Sequence, residues 1–395
     1  MDATFQNNVK ILVVDDEIDL EPLIRQKFRR QIREGKYHFV FALNGLEALS
    51  RIIEYPEIGI VLSDINMPEM DGLTLLTKLK ELQNPGLKTV IVSAYGDMDN
   101  IRTAMNRGAF DFVTKPVNFD DLEITINKTL DEINLIRKSM AEHDQLISIQ
   151  QDLNTAREIQ QSILPKVFPA FPGITGFDVY GSMVAAREVG GDFFDFFLID
   201  SNRLGFVIGD VSGKGVPAAI FMAITRTLIR AIGIKGSSAP ECLGLVNNLL
   251  CRDNVSSMFV TVFYGILTIS TGEIEYVSAG HNPPYVVSGA GVKEVEMTGG
   301  MALGVMEDFG FQSKTLRLTA GEKLFLYTDG VTEANNRNLE LFGEERLENF
   351  LAARSEMPIQ ELVHDAFAEV NMFAAEMPQF DDVTVLMLRY NGPGN

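Results

Sequence analysis

From about Asp120 to Leu164 the chain carries DLEITINKTLDEINLIRKSMAEHDQLISIQQDLNTAREIQQSIL, with neither Pro nor Gly to break a helix. Its apolar residues recur three and four apart: Ile126, Ile133, Ile136 and Met140, then Leu146, Ile149, Leu153, Ala156 and Ile163. That spacing predicts one long helix with a narrow stripe, the a/d pattern of a coiled coil. Between His143 and Leu146 the step is three where the repeat asks for four, a stammer that overwinds a coil locally. Such a helix joins two bodies. On either side of it, acids sit at the ends of apolar strands, so it reads as a connector carrying a signal from one cluster to the other, with a rigid spacer as the plainer alternative.

At 395 residues the chain exceeds one ordinary core, which suggests two or three domains. The formal net charge of −20, from 54 Asp and Glu against 34 Lys and Arg, argues against a nucleic-acid surface. It favours a neutral or basic partner, or acids that hold cations. Cys242 and Cys251 have no companions for a metal site or a disulfide framework and read as small core residues. No signal peptide is evident, and no apolar run approaches the ~18 residues of a membrane span. A cytoplasmic protein without membrane attachment is expected.

Before the connector, KILVV, HFVFA, IGIVLS, KTVIVS and DFVTK alternate with helical patterns. That βα repeat predicts a doubly wound five-stranded parallel sheet, with chemistry at the carboxyl ends of the strands. There the sequence places Asp15 and Asp16, Asp64, Ser93 and Lys115. Converging acids repel unless a cation holds them, and hard oxygen ligands suit Mg²⁺. A hydroxyl and a lysine beside them can bind a phosphoryl group. Each acid alone could be a helix cap or turn residue, but all of these at successive strand ends make that reading weak.

On VVDDE, SDINMPEMDG, Ser93 and TKP, the stretch 8–130 resembles the receiver domain of two-component response regulators. The resemblance implies Asp64 as phospho-acceptor, Asp15, Asp16 and the carbonyl of Asn66 as Mg²⁺ ligands, and Ser93 and Lys115 on the phosphoryl group. It also implies a sensor histidine kinase as phosphodonor. Where many receivers carry a switch tyrosine, this chain has Phe112, which has no hydroxyl to donate.

After the connector, ILPKVFPAFPGITG is a Pro- and Gly-rich opening to a strand-rich region. Helical patterns appear at PAAIFMAITRTLIRAIG, APECLGLVNNLLCRD, LENFLAA and PIQELVHDAFAEVNMF, which suggests an α+β sandwich. DFFDFFLI and RLGFVIGD read as a hairpin turning at DSNR. Folding it about Ser201 sets Asp192 opposite Asp210, with Cβ atoms roughly 5 Å apart. Like charges so placed call for a cation between them, and Gly190, Gly191 and Gly209 are expected to leave it room. KLFLYTDGVTEA ends an apolar run on Asp329, and QFDDVTVLMLRY opens one with Asp381 and Asp382. Acids without His or Cys companions indicate Mg²⁺ or Mn²⁺ rather than zinc. Paired hard cations are a device for phosphate-ester hydrolysis.

Other chemistries fit less well. GDVSGKG lacks the spacing and the Ser or Thr of a phosphate-binding P-loop. Neither cysteine sits in the electropositive setting of a cysteine phosphatase. His281, in SAGHNPP, either satisfies backbone groups or sits beside the site.

Together AREIQQSILP, VGGDFFD, GDVSGKG, AGHNPP, Leu303-Gly304, YTDGVTEA and FDDVTVL make this region similar to the PPM-type serine/threonine phosphatases of the SpoIIE/RsbU branch. The resemblance implies two Mn²⁺ or Mg²⁺ ions held by Asp192, Asp210, the carbonyl of Val211, Asp329 and Asp381. It implies direct attack on a phosphoserine phosphorus, with Asp192 and Asp210 central to catalysis and no phosphoenzyme. Eukaryotic relatives place a histidine after the second aspartate, where this chain reads VSGKG. The branch implies as substrate a phosphorylated anti-anti-sigma (STAS) protein of a partner-switching pathway.

The expected organisation is a receiver over 8–128, a helical coiled-coil linker over 129–164 that pairs in a homodimer, and a phosphatase β-sandwich flanked by helices over 165–391. The expected function is a response regulator with a metal-dependent protein phosphatase as output. The alternative is a catalytically silent phosphatase-like module that sequesters a partner.

Overall fold

The structure, a computed structural model, describes residues 9–94, 97–252, 254, 256–375 and 377–393. Residue 8, the expected start of the receiver, and Asp253, the expected end of one helix, lie outside that set. Contacts divide the chain into two units, Met1–Ile149 and Gln150–Asn395.

The first unit runs β1 (Lys10–Val14), α1 (Leu20–Lys27), α2 (Arg29–Arg33), β2 (His38–Ala42), α3 (Gly45–Glu54) and β3 (Ile58–Asp64). It continues with α4 (Gly72–Glu81), β4 (Lys88–Ala94), α5 (Met98–Arg107) and β5 (Asp111–Lys115). All strands are parallel, in the order β2-β1-β3-β4-β5. Every residue of β3 is buried, so its first five, IGIVL, form a continuous apolar run instead of alternating. A reciprocal cap starts α3: the Asn44 side chain accepts from the Glu47 N–H at 2.9 Å, and the Glu47 carboxylate accepts from the Leu43 N–H at 2.9 Å.

The connector is one helix, α6 (Phe119–Ile163), 45 residues long. Its start belongs to the receiver. Leu122, Ile126, Leu130 and Ile133 are buried in the first unit's core with Val9, Ile11 and Phe28. Ile126 and Ile133, expected in a coiled-coil seam, therefore serve that core, because a one-sided helix and a coil share nearly the same apolar period. Met140, Leu146 and Ile149 are left exposed.

The second unit contains β6 (Phe177–Val184), β7 (Phe193–Leu198), β8 (Arg203–Val211), α7 (Val216–Gly233), α8 (Ala239–Arg252), β9 (Val260–Thr268) and β10 (Glu273–Ala279). Then come β11 (Tyr285–Ser288), β12 (Gly291–Glu294), β13 (Lys314–Arg317), β14 (Lys323–Tyr327), α9 (Asp329–Thr332), α10 (Gly343–Ala353), α11 (Ile359–Ala374) and β15 (Val383–Tyr390). Two antiparallel sheets form, β13-β10-β9-β8-β7 and β12-β11-β14-β15-β6. Phe194, Phe206, Leu326 and Leu386 pack between them. Helices α7 and α8 cover the outer face of the first sheet, and α10 and α11 that of the second.

Strand alternation explains both faces of β7. Phe194 and Phe196 point between the sheets, whereas Phe193, Asp195 and Phe197 face the helix side. Asp195 is fully buried there, and Arg226 and Arg230 of α7 pair with it at 2.9 and 2.7 Å. Among the described residues, α7 is the one helix long and apolar enough to cross a membrane, contrary to the expectation that no such run exists. Its two arginines reach that buried carboxylate, and Ala218, Met222 and Ile229 pack into the core, as in the core helix of a sandwich.

Candidate functional site

Parallel strands bring their carboxyl ends together, and in the first unit that edge holds Asp15, Asp16, Asp64 and Lys115. Carboxylate oxygens of Asp15, Asp16 and Asp64 lie within 4.8 Å of one another. Lys115 Nζ is 2.7 Å from Asp64 Oδ2, 2.9 Å from Asp15 Oδ2 and 3.1 Å from Glu17 Oε1. Burial pushes the Asp15 carboxyl up in pKa, against the pull of Lys115. Burial also opposes the Lys115 charge, but Asp64 and Asp15 outweigh it and hold that ammonium above its usual range. Asp64 Oδ1 accepts from the Ile65 N–H at 2.6 Å and from the Asn66 N–H at 3.4 Å. Asp64 is in register with Val92, so Ser93 lies one step beyond, its hydroxyl donating to Asp97 Oδ2 at 3.3 Å. Phe112 is 39% exposed on β5. A compact trio of hard oxygen donors suits Mg²⁺.

In the second unit the acids lie where the inward row of each sheet changes from apolar to polar. The β7–β8 register runs from Phe193↔Gly209 to Leu198↔Leu204, and one step further it sets Asp192 against Asp210. On the other sheet the inward positions pass from Leu324 and Leu326 to Thr328, and from Leu388 and Leu386 to Thr384 and Asp382. Asp192, 1% exposed, accepts on Oδ2 from both the Thr328 and Thr384 hydroxyls at 2.7 Å. Asp382 does different work: it accepts from the Ala186 N–H at 2.8 Å and the Gly191 N–H at 2.6 Å, fixing the loop before Asp192. Asp329 opens α9, and Asp381 precedes β15 with Oδ2 2.8 Å from Lys214 Nζ.

The glycines do not leave space for an ion. The Asp382 carboxylate fills the place of a Cβ at Gly190, Val211 and Ala218 press on Gly191, and a Cβ at Gly209 would lie 2.6 Å from the Phe193 ring. Close backbone packing, not an ion cavity, requires them.

Charge crowding perturbs the acids. Burial, then Asp210 and Asp382, push the Asp192 carboxyl well above its ordinary value. Burial and Asp329 push Asp210 up to about 7, and burial and Glu333 push Asp329 up to about 6. Buried carboxylates that repel one another, without histidine or cysteine among them, fit hard divalent cations. No second trio as tight as Asp15, Asp16 and Asp64 occurs among the described residues, so these acids are more widely spread. His281 sits beside the site: its Nδ1 meets the Thr261 hydroxyl at 2.9 Å, Thr261 is in register with Asp210, and burial lowers the imidazole pKa to about 4. Burial pushes the Cys242 thiol up to about 12, so it is no thiolate nucleophile.

Two contacts from the end of α6 reach this loop. Gln160 Nε2 donates to the Gly190 carbonyl at 2.6 Å, and the Gly190 N–H donates back to Gln160 Oε1 at 3.0 Å. Arg157 donates to the carbonyls of Glu188 at 2.7 Å and Arg187 at 3.2 Å. Sequence reasoning missed Gln160, Arg157, Thr328 and Thr384, and saw in Asp382 one more acid at the sheet edge and not a backbone anchor. Strand parity carried a signal for the last three.

The two units define a parallel α/β sheet with acids at its strand ends and a two-sheet sandwich with a buried acidic cluster. The family profile of the response regulator receiver domain matches residues 11–127, and that of stage II sporulation protein E (SpoIIE) matches residues 200–391. Residues 11–127 are thus a response regulator receiver domain, and residues 200–391 a phosphatase domain of the SpoIIE family. It is similar to protein IcfG of Synechocystis sp., 32% identical over 61% of this chain and 42% of that one. Phosphoserine phosphatase RsbU of Bacillus subtilis is 27% identical over 63% of this chain and 74% of its own length. This chain thus spans less than half of the Synechocystis relative. The SiaA-PP2C domain of Pseudomonas aeruginosa shares the fold, with a TM-score of 0.55 at 23% identity over 62% of this chain and 98% of that one.

Proposed function

We propose that this chain hydrolyses phosphoserine or phosphothreonine on a protein, under control of phosphorylation at Asp64. The observation that carries the reading is Asp192, buried, gripped by two hydroxyls and set against Asp210 at the end of the sandwich core. Asp192, Asp210, the Val211 carbonyl, Asp329 and Asp381 would hold two Mn²⁺ or Mg²⁺ ions. Those ions, when bound, supply a nucleophile at neutral pH and charge to neutralise the phosphoryl oxygens. Thr328 and Thr384 hold Asp192 through Oδ2, which would leave its Oδ1 for an ion, and Asp382 fixes the backbone before it.

In the receiver, Asp64 attacks the phosphorus of a phosphohistidine on a sensor histidine kinase; the new P–O bond forms as the P–N bond breaks, and the imidazole leaves and takes up a proton. Asp15, Asp16 and the Asn66 carbonyl would hold Mg²⁺, while Lys115 and Ser93 meet the phosphoryl oxygens. The signal passes along α6, whose exposed Met140, Leu146 and Ile149 pair with a second copy, and reaches the Asp192 loop through Gln160 and Arg157. The substrate is an anti-anti-sigma (STAS) phosphoprotein, a reading supported by similarity to RsbU, a phosphoserine phosphatase. Asp210→Ala tests the enzyme: phosphate release falls to background while partner binding persists. Unchanged release from that variant overturns the reading.

A further inference from the structure

Lys214 makes its contacts with one short segment. Its ammonium lies 2.8 Å from Asp381 Oδ2, donates to the Phe380 carbonyl, and stands 4.0 Å from the centre of the Phe380 ring. The other oxygen of Asp381, Oδ1, accepts from the Asp382 N–H at 2.9 Å. Both oxygens of this carboxylate therefore already have partners within the chain. A divalent ion reaching Asp381 has to take an oxygen from the ammonium or share one with it.

We propose that Lys214 is a built-in competitor for the cation at Asp381 and sets how tightly, and how selectively, the phosphatase unit holds that ion. The inference rests on the reading of these acids as a cation site. Three features support it. The pair is only partly exposed, 26% for each side chain, so the attraction is not fully screened by water. Lys214 sits between Gly213 (φ +87°) and Gly215 (φ +78°), and nothing lies within 4 Å of a Cβ at either position, so the loop has room to swing away. When the ammonium leaves Asp381, the Phe380 carbonyl and ring still hold it close by, so its return is local and fast. Phe380 is 67% exposed, which makes its ring a docking plate for the lysine more than a core residue. Cations that bind carboxylate strongly displace the ammonium, and weaker ones are kept out.

The test is a Mn²⁺ titration of the full chain, followed by the electron paramagnetic resonance signal of the free aqua ion. Lys214→Met keeps the aliphatic stem against Phe380 and removes the charge. It is expected to bind the more weakly held Mn²⁺ of the phosphatase unit about two- to five-fold tighter than the native chain, the scale of one partly screened ion pair. Lys214→Arg keeps the charge and is expected to stay near the native affinity. Unchanged or weaker binding in Lys214→Met overturns the proposal, as does equal tightening in Lys214→Arg. Asp210→Asn separates the two readings. If it binds Mn²⁺ as the native chain does, the cation-site reading itself fails. If it loses Mn²⁺ while Lys214→Met stays native-like, only the competitor role fails.

Discussion

Gln160 and Gly190 exchange a pair of hydrogen bonds, the side-chain amide donating at 2.6 Å and the backbone N–H returning the bond at 3.0 Å. The glutamine is 6% exposed, so its amide acts as a rigid two-point link between the end of α6 and the loop that presents Asp192. Removing it in Gln160→Ala leaves a buried N–H and a buried carbonyl without partners, a loss of about 1–3 kcal/mol for each group. The unfolding transition of the second unit is expected to move to lower urea concentration. Turnover of this variant is expected to stop responding to beryllofluoride, a mimic of phospho-Asp64. A full response in Gln160→Ala would remove the link from the signalling route.

Thr384→Val keeps the shape of a fully buried side chain and deletes one hydroxyl bond to Asp192 Oδ2. A bond to a charged group contributes about 1.5–3 kcal/mol, and about 1.4 kcal/mol corresponds to tenfold in rate. Steady-state kinetics should show kcat reduced at least about tenfold with the fold intact by circular dichroism. Native kcat would mean that Thr328 alone suffices.

The crowded acids predict a pH dependence. Asp210 at about 7 and Asp329 at about 6 lie above the ordinary aspartate value, near 3.9. Without cations, the folded chain therefore holds protons that the unfolded chain gives up. This stabilisation is present in full below about pH 4 and is lost as pH rises through 6 to 7. A cation takes the ionised carboxylates, so Mn²⁺ binding should release protons at pH 6 and hardly any at pH 8. Calorimetry in buffers of different ionisation enthalpy measures the release. Equal release at both pH values would contradict the account.

Asp195→Asn breaks the buried link between β7 and α7 and strands Arg226 near the core. Losing one partner of a buried pair costs about 3–5 kcal/mol, so the second unit should melt well below its native temperature. A melting point within a degree or two of native would show that the pair contributes little.

Much of this arrangement was legible in the sequence because two periodicities dominate it. Continuous apolar runs marked the parallel strands, and alternation about the DSNR turn fixed the β7–β8 register that sets Asp192 against Asp210. Asp381 and Asp382 were both visible, but adjacency hid the fact that strand parity turns Asp382 inward as a backbone anchor. The glycines near Asp192 were misread, since sequence cannot tell a void from a neighbour pressed close. Ile126 and Ile133 matched a coil seam and yet lie in the receiver core. Gln160 left no pattern at all, because a polar helix residue meeting a backbone thirty positions away has no local signature.

The measurement that bears most directly on the central claim is Mn²⁺-dependent phosphate release from a phosphoserine STAS protein by the full chain, with and without beryllofluoride. The account predicts release that requires Mn²⁺, vanishes in Asp210→Ala and changes with beryllofluoride. Release that ignores beryllofluoride would contradict control through Asp64, and no release with Mn²⁺ bound would contradict the proposed substrate.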